Sequence, residues 1–196
     1  MVKKEDRRIQ KTKKTIKKAF IELLNEKNFG EVSVNDIAKR ADINRGTFYL
    51  HYQDKFDLFE KYVDELLNEL ISKIKISNLE EYQGKKADKK ESNPYVLFFK
   101  HFQEYSSFYK PILSFKGGPY FYIKFIEFIK DYYMQEYSKL PIHHKEPKTD
   151  KEILVNFVAH AHLGVINNWL QNDMTKTPEY MGEQLSALLS SLVKSL

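Results

Sequence analysis

An all-α fold of about nine helices is predicted, with an N-terminal three-helix helix-turn-helix domain followed by a larger C-terminal helical domain. Three observations predict it. Residues 33–52, SVNDIAKRADINRGTFYLHY, read as two short capped helices joined by a tight turn. Apolar residues elsewhere recur at helical spacing, and no strand alternation survives. Glycine and proline fall between the periodic stretches, where helices end or restart.

The first helix carries Ile16, Ala19, Phe20, Leu23 and Leu24 on one face. Ser33 caps the second, whose apolar positions are Val34, Ile37, Ala38 and Ala41, with Asp36 completing a capping box and Val32 stapling onto Ile37. Asn44 offers the next cap, with Ile43 and Phe48 as a second staple. Two capped helices this close suit a helix-turn-helix, whose second helix enters the DNA major groove. Arg45, Gly46 and Thr47 occupy its first turn, the part that meets base edges. Arginine can hold guanine through two parallel bonds, and threonine can bond a base or touch a thymine methyl. Gly46 costs a helix roughly 1 kcal/mol relative to alanine, which close approach of backbone to DNA would justify. An ordinary helical hairpin is the alternative on pattern alone.

A fourth helix is expected over 54–76, with Asp54 as cap and Phe59, Tyr62, Val63, Leu66, Leu67, Leu70 and Ile74 on its buried face. Lys55 would open it, although a cation opposes the dipole there unless a phosphate docks at the same end. Residues 77–93, with Gly84 and four lysines, read as a linker. Helices are then expected at about 94–106, 108–115, 119–138, 149–172 and 178–195, with breaks at Gly117-Gly118-Pro119 and Thr177-Pro178.

Composition narrows the class. At 196 residues the chain can bury a real core in one or two domains. The absence of cysteine excludes disulfides, thiol catalysis and cysteine-bound metal. No apolar run is long enough to span a bilayer, and no signal-peptide pattern opens the chain, so a bacterial cytoplasm is the simplest compartment. Residues 1–18 hold nine basic residues against Glu5 and Asp6, a surplus of seven, so the remaining 178 residues carry a net −2. That asymmetry suits an arm for a polyanion, although Lys3 and Lys4 could equally belong to a solvated tail.

The run Val32-Ser33-Val34, Ile37-Ala38, Ala41, Ile43, Arg45-Gly46-Thr47-Phe48-Tyr49, His51-Tyr52 and Lys55 resembles the DNA-binding domain of the TetR family of bacterial transcriptional regulators. The family usually has glycine at Asp42 and serine at Asn44. Aspartate tolerates a left-handed backbone and asparagine caps well, so neither departure breaks the motif. The resemblance implies a DNA-binding domain over 1–53, with phosphate contacts by Arg7, Arg8, Lys11, Ser33, Asn44, Tyr49, His51 and Lys55. Phe48 and Tyr52 are expected in its core. Residues 94–196 would then bind an effector and dimerise.

Sixteen of the chain's 28 aromatic residues lie between Tyr95 and Tyr137. They suit an aromatic core, a cavity for a flat or apolar effector, or both. The candidate lining is Phe98, Phe102, Tyr105, Phe121, Phe125, Phe128 and His162. In TetR-like proteins the final two helices pair with their copies. That implies a homodimer seam here from Phe157, Gly164, Trp169, Leu185, Leu188, Leu189 and Leu192, although both stripes could instead pack within one chain. Trp169 to Met174 with Thr177-Pro178-Glu179 also resembles a C-terminal subgroup found mainly in Gram-positive bacteria.

Metal binding is not expected. His160 and His162 point to different helix faces, and His143-His144 lack matching carboxylates. No phosphate loop or nucleophile motif appears, so neither cofactor nor enzyme is expected. The leading expectation is a homodimeric repressor released from a palindromic operator by a small molecule. A TetR-like co-activator without DNA reading and a helical enzyme or carrier are the alternatives.

Overall fold

The computed structural model describes residues 7–82, 93–114, 119–137 and 149–195. Lys3, Lys4, Gly84, Gly117-Gly118 and His143-His144 lie outside them. Among the described residues there are nine α-helices, one 3-10 turn and no strand. They are α1 (Arg7–Glu26), the 3-10 turn (Phe29–Glu31), α2 (Val34–Arg40), α3 (Arg45–Tyr49), α4 (Lys55–Tyr82), α5 (Pro94–Glu104), α6 (Ser106–Leu113), α7 (Pro119–Tyr137), α8 (Lys151–Gln171) and α9 (Pro178–Ser195).

Two boundaries and one additional turn differ from expectation. Helix α4 runs to Tyr82, because the segment assigned to a linker holds no helix breaker before Gly84. The break between α5 and α6 falls at Tyr105 rather than at about residue 107. The 3-10 turn between α1 and α2 is not expected from the sequence, since a three-residue turn leaves no periodic signal.

One apolar cluster runs from Ile16 in α1 to Leu185 in α9. In the small domain Phe20 packs edge-on against Phe29, at 6.2 Å between ring centroids, and Phe29 against Phe59 at 5.2 Å. Phe48 and Tyr52 are buried there as expected. Helix α4 carries the cluster onward, with Tyr62 meeting Phe108 of α6 at 4.8 Å and Phe59 meeting Phe121 of α7 at 6.5 Å. The larger core is built on α5, which packs on α4 and α9, and on α7, which packs on α8. Gly182 allows the closest crossing: a Cβ there would lie 2.6 Å from the Val96 backbone nitrogen, which no side-chain rotation relieves. Among the described residues no helix is long and apolar enough to cross a membrane, and no group of three or more His, Asp or Glu is placed to hold a metal.

Candidate nucleic-acid interface

Helix α2 starts as its sequence dictates. Ser33 Oγ accepts from the Asp36 N–H at 3.1 Å, and the Ser33 N–H donates back to Asp36 Oδ2 at 2.9 Å, closing the capping box. The Ser33 hydroxyl also faces Asp36 Oδ2 at 2.7 Å, and Lys27 pairs with the same oxygen at 2.8 Å. The Lys27 bond, then those from Ser33, hold the Asp36 carboxyl well below the usual carboxylate range. Both donors of Ser33 are therefore engaged by Asp36, at an exposed position.

The turn after α2 is a Schellman motif. Ile43 N–H bonds Ala38 O at 3.0 Å and Asp42 N–H bonds Lys39 O at 3.3 Å, with Asp42 at φ 52°. Aspartate thus takes the left-handed position usually given to glycine. Arg40 anchors the pair of helices to α1, its guanidinium meeting Glu26 at 2.8 and 2.7 Å and Glu22 at 3.5 Å. Such a two-pronged contact fixes orientation as well as distance. Sequence reasoning misses this clamp, since its partners lie 14 and 18 residues away.

Helix α3 is a short, exposed presentation element. Asn44 stands at its N-cap through its backbone, but its side chain makes no capping bond, contrary to expectation. Arg45 and Gly46 are exposed and Thr47 is half-buried. Arg45 lies along the helix, its Nη2 3.1 Å from the Tyr49 hydroxyl and its guanidinium over the Tyr49 ring. A Cβ on Gly46 would meet nothing within 4 Å, so the glycine faces open space. Tyr49 is 49% exposed and Leu50, at the C-cap, is 81% exposed. His51 is half-buried beside Tyr52, and Arg7, Arg8 and Lys11 are exposed at the start of α1.

Lys55 is placed differently from expectation. Its ammonium donates to the carbonyl oxygens of Phe29, Gly30 and Val32 at 3.0, 2.8 and 2.7 Å, between the rings of Phe29 and Phe56. All three donors of the ammonium are engaged inside the domain. Burial, then the neighbouring Lys27 charge, lowers its pKa. The cation at the α4 N-terminus is thus balanced by the carbonyls of Phe29, Gly30 and Val32.

The expected effector lining is not one site. Phe98, Phe128 and His162 line a cavity of about 30 Å³ between α4, α5, α7 and α8, with Leu70, Ile74 and Tyr133. That is room for about one water molecule. Phe102, Phe121 and Phe125 are filled core instead: Phe102 meets Tyr109 at 4.3 Å with the rings tilted, and Phe121 stacks on Phe125 at 5.8 Å. Tyr105 lines an open charged cleft of about 1070 Å³ beside Lys17, Glu65 and Glu69, and donates to Glu69 at 2.7 Å. His162 Nδ1 donates to Val158 O at 2.7 Å, so its Nε2 accepts from the Tyr133 hydroxyl at 3.0 Å. Burial brings its pKa down to about 4. His101, which sequence reasoning passes over, is also buried, with Nε2 2.9 Å from the Tyr109 hydroxyl and Nδ1 unpartnered.

The expected dimer residues divide likewise. Trp169 and Leu185 are buried within the chain, Trp169 donating to Lys176 O at 2.9 Å, which removes them from any seam. Phe157, Gly164 and Leu188 are exposed, and Leu189 and Leu192 half-buried. Ile153, outside the expected set, is exposed one turn before Phe157.

Comparison with known proteins accounts for both halves. Residues 16–62 match the family model described as bacterial regulatory proteins of the tetR family, and residues 92–191 match that of a transcriptional regulator C-terminal region. An uncharacterized HTH-type transcriptional regulator of Bacillus subtilis, YxbF, is 26% identical over 176 residues, covering 89% of this chain and 44% of its own length. DhaS of Lactococcus lactis, a transcriptional activator of the dhaKLM operon, is 39% identical over 62 residues, covering 30% of this chain and 33% of its own. The chain thus spans less than half the length of the curated relatives it matches. The crystal structure of a TetR transcriptional regulator from Streptococcus agalactiae superimposes with a TM-score of 0.65 at 26% identity, covering 92% of this chain and 97% of that one. With a helix-turn-helix presenting Arg45 and Gly46 to solvent and family models matching both halves, this chain belongs to the TetR family of transcriptional regulators.

Proposed function

We propose that this regulator is a homodimeric repressor that reads a palindromic operator and is released by a small-molecule effector. The observation that carries it is α3, whose Arg45, Gly46 and Tyr49 face solvent, with Thr47 half-buried between them, while Phe48 holds the helix to the core. Arg45 and Thr47 read base edges, with Gly46 letting the backbone approach. Arg7, Arg8, Lys11, Asn44, Tyr49 and His51 hold phosphates and set the register. Two copies join through the outer faces of α8 and α9, where Ile153, Phe157, Gly164 and Leu188 lie exposed. The recognition helices then meet half-sites one helical turn apart or at the spacing the dimer sets.

The effector enters between α4, α5, α7 and α8, where Phe98, Phe128 and His162 already surround a small gap. Ligand sites are commonly about 300–1,000 Å³, so binding must spread these helices. Because α4 begins beside the helix-turn-helix, spreading there shifts the reading heads. The effector acts only insofar as it favours the spread state over the closed one. A cytoplasmic location follows from this role.

Activation is the second reading, favoured by the likeness to the activator DhaS in the N-terminal part. A co-activator that has lost DNA reading is disfavoured by the intact Arg45-Gly46-Thr47 turn. Selecting bound sequences from a random DNA pool tests the proposal. A recovered palindrome is expected, and its position relative to the promoters it occurs in separates repression from activation. Failure to enrich any sequence overturns it.

A further inference from the structure

We propose that Leu50 reads the 5-methyl group of a thymine in the major groove and is a specificity-determining residue of α3; this rests on the DNA-binding role proposed above. Leu50 is 81% exposed, more than any other large hydrophobic residue among those described. It sits four residues after Gly46 and three after Thr47, so the three share one face of the helix, a turn apart. The Leu50 N–H donates to Gly46 O at 3.2 Å and its backbone is right-handed helical, so the side chain is carried on the helix rather than on a loose tail. Gly46 adds no side chain and has open space where its Cβ would be. Beside Leu50 the Gly46 backbone thus leaves open space.

The two rows of α3 differ in chemistry. Arg45 and Tyr49 are tied together by a hydrogen bond and a cation–ring contact, and form a polar row. Gly46, Thr47 and Leu50 form a row whose outermost group is aliphatic. Folding does not need that aliphatic group, since Phe48 and Tyr52 already fill the core beneath it. A phosphate offers leucine nothing. On the base edges of the major groove the apolar feature is the thymine methyl. A methyl seated over the Gly46 backbone would be shielded from water by Leu50.

The test uses an operator recovered by selection with the full-length wild type. Each thymine is replaced in turn by deoxyuridine, which removes the methyl and keeps every hydrogen-bonding group. Wild type should lose about fourfold in affinity at one position per half-site, the worth of one methyl taken out of water. Leu50→Ala should bind the thymine operator more weakly and lose nothing further at that position. Its exposure lets Leu50 be replaced without disturbing the core, and circular dichroism checks that each variant is folded. Equal discrimination by wild type and Leu50→Ala, or none at any thymine, would overturn the inference. A wild type that selects no DNA overturns instead the DNA-binding role on which it rests.

Discussion

The ammonium of Lys55 lies 2.7 Å from the carbonyl oxygen of Val32, the residue immediately before the Ser33 cap. Through that bond and those to Phe29 and Gly30, the first residue of α4 holds the turn from which α2 starts. Lys55→Met should leave three carbonyls short of a donor and destabilise the domain by about 1–3 kcal/mol. Operator affinity should fall with it, while the dependence of affinity on salt stays as in wild type. Replacing Arg7, Arg8 and Lys11 with alanine should instead reduce the salt slope by roughly one for each phosphate no longer neutralised. Measuring affinity over a salt series decides the matter: a slope reduced by about one in Lys55→Met would return this lysine to the phosphates.

Arg45 is preorganised by Tyr49. The 3.1 Å bond and the stacked ring hold an otherwise flexible guanidinium along the helix. Arg45→Ala should relax base preference at one position per half-site, by about 1–3 kcal/mol of discrimination. Tyr49→Phe keeps the ring and removes the hydroxyl, so it should weaken binding less and leave the preferred base unchanged. Competition binding against operators mutated one base at a time measures both. Uniform loss of affinity in the Arg45 variant, with preference intact, would place Arg45 on the phosphates.

What is legible in the sequence is local. Ser33, Asp36, Val32 and Ile37 announce α2 because caps and staples act within five residues, and Asp42 suits the turn because aspartate tolerates the left-handed backbone it takes there. Lys55 is illegible because its acceptors lie 23 to 26 residues away. Local pattern can offer only a ligand to balance the cation. Helix α8 defeats stripe reading for a different reason. Its buried set includes Val155, Ala159, His162, Ile166 and Leu170, and its exposed set includes Ile153 and Phe157. A helix apolar on both faces does not say which face meets a second copy. The aromatic segment suits a core or a cavity by composition, and packing makes most of it core.

The exposed faces of α8 and α9 can be tested against their buried ones. Phe157 and Leu188 are 61% and 65% exposed, so Phe157→Glu and Leu188→Glu should fold normally and fail to dimerise. Leu185 is buried within the chain, so Leu185→Glu should instead unfold it. Sedimentation combined with circular dichroism distinguishes loss of assembly from loss of fold. A wild-type protein that sediments as a monomer at micromolar concentration and still binds a full palindrome tightly would sink the proposed seam.

The two buried histidines make stability depend on pH in a window of their own. Burial lowers His101 and His162 from 6.5 to about 4, with Lys73 adding to the effect at His101 against Glu69 and Glu104. Both are neutral in the folded state, whereas the unfolded chain takes up their protons below 6.5. Their contribution is therefore complete above that pH and is lost as pH falls from 6.5 towards 4, by at most about 3 kcal/mol each. The carboxylates held low by ion pairs, such as Asp36 and Glu26, begin to matter only below their ordinary range. Between about pH 7 and about pH 5 the histidines should therefore dominate. Urea unfolding across that range should show stability falling with pH. The double variant His101→Leu/Tyr109→Phe removes one titrating ring together with its hydrogen-bond partner, and should flatten the dependence by about half. A wild type equally stable at both ends of the window would mean that these rings take up protons without opening the core.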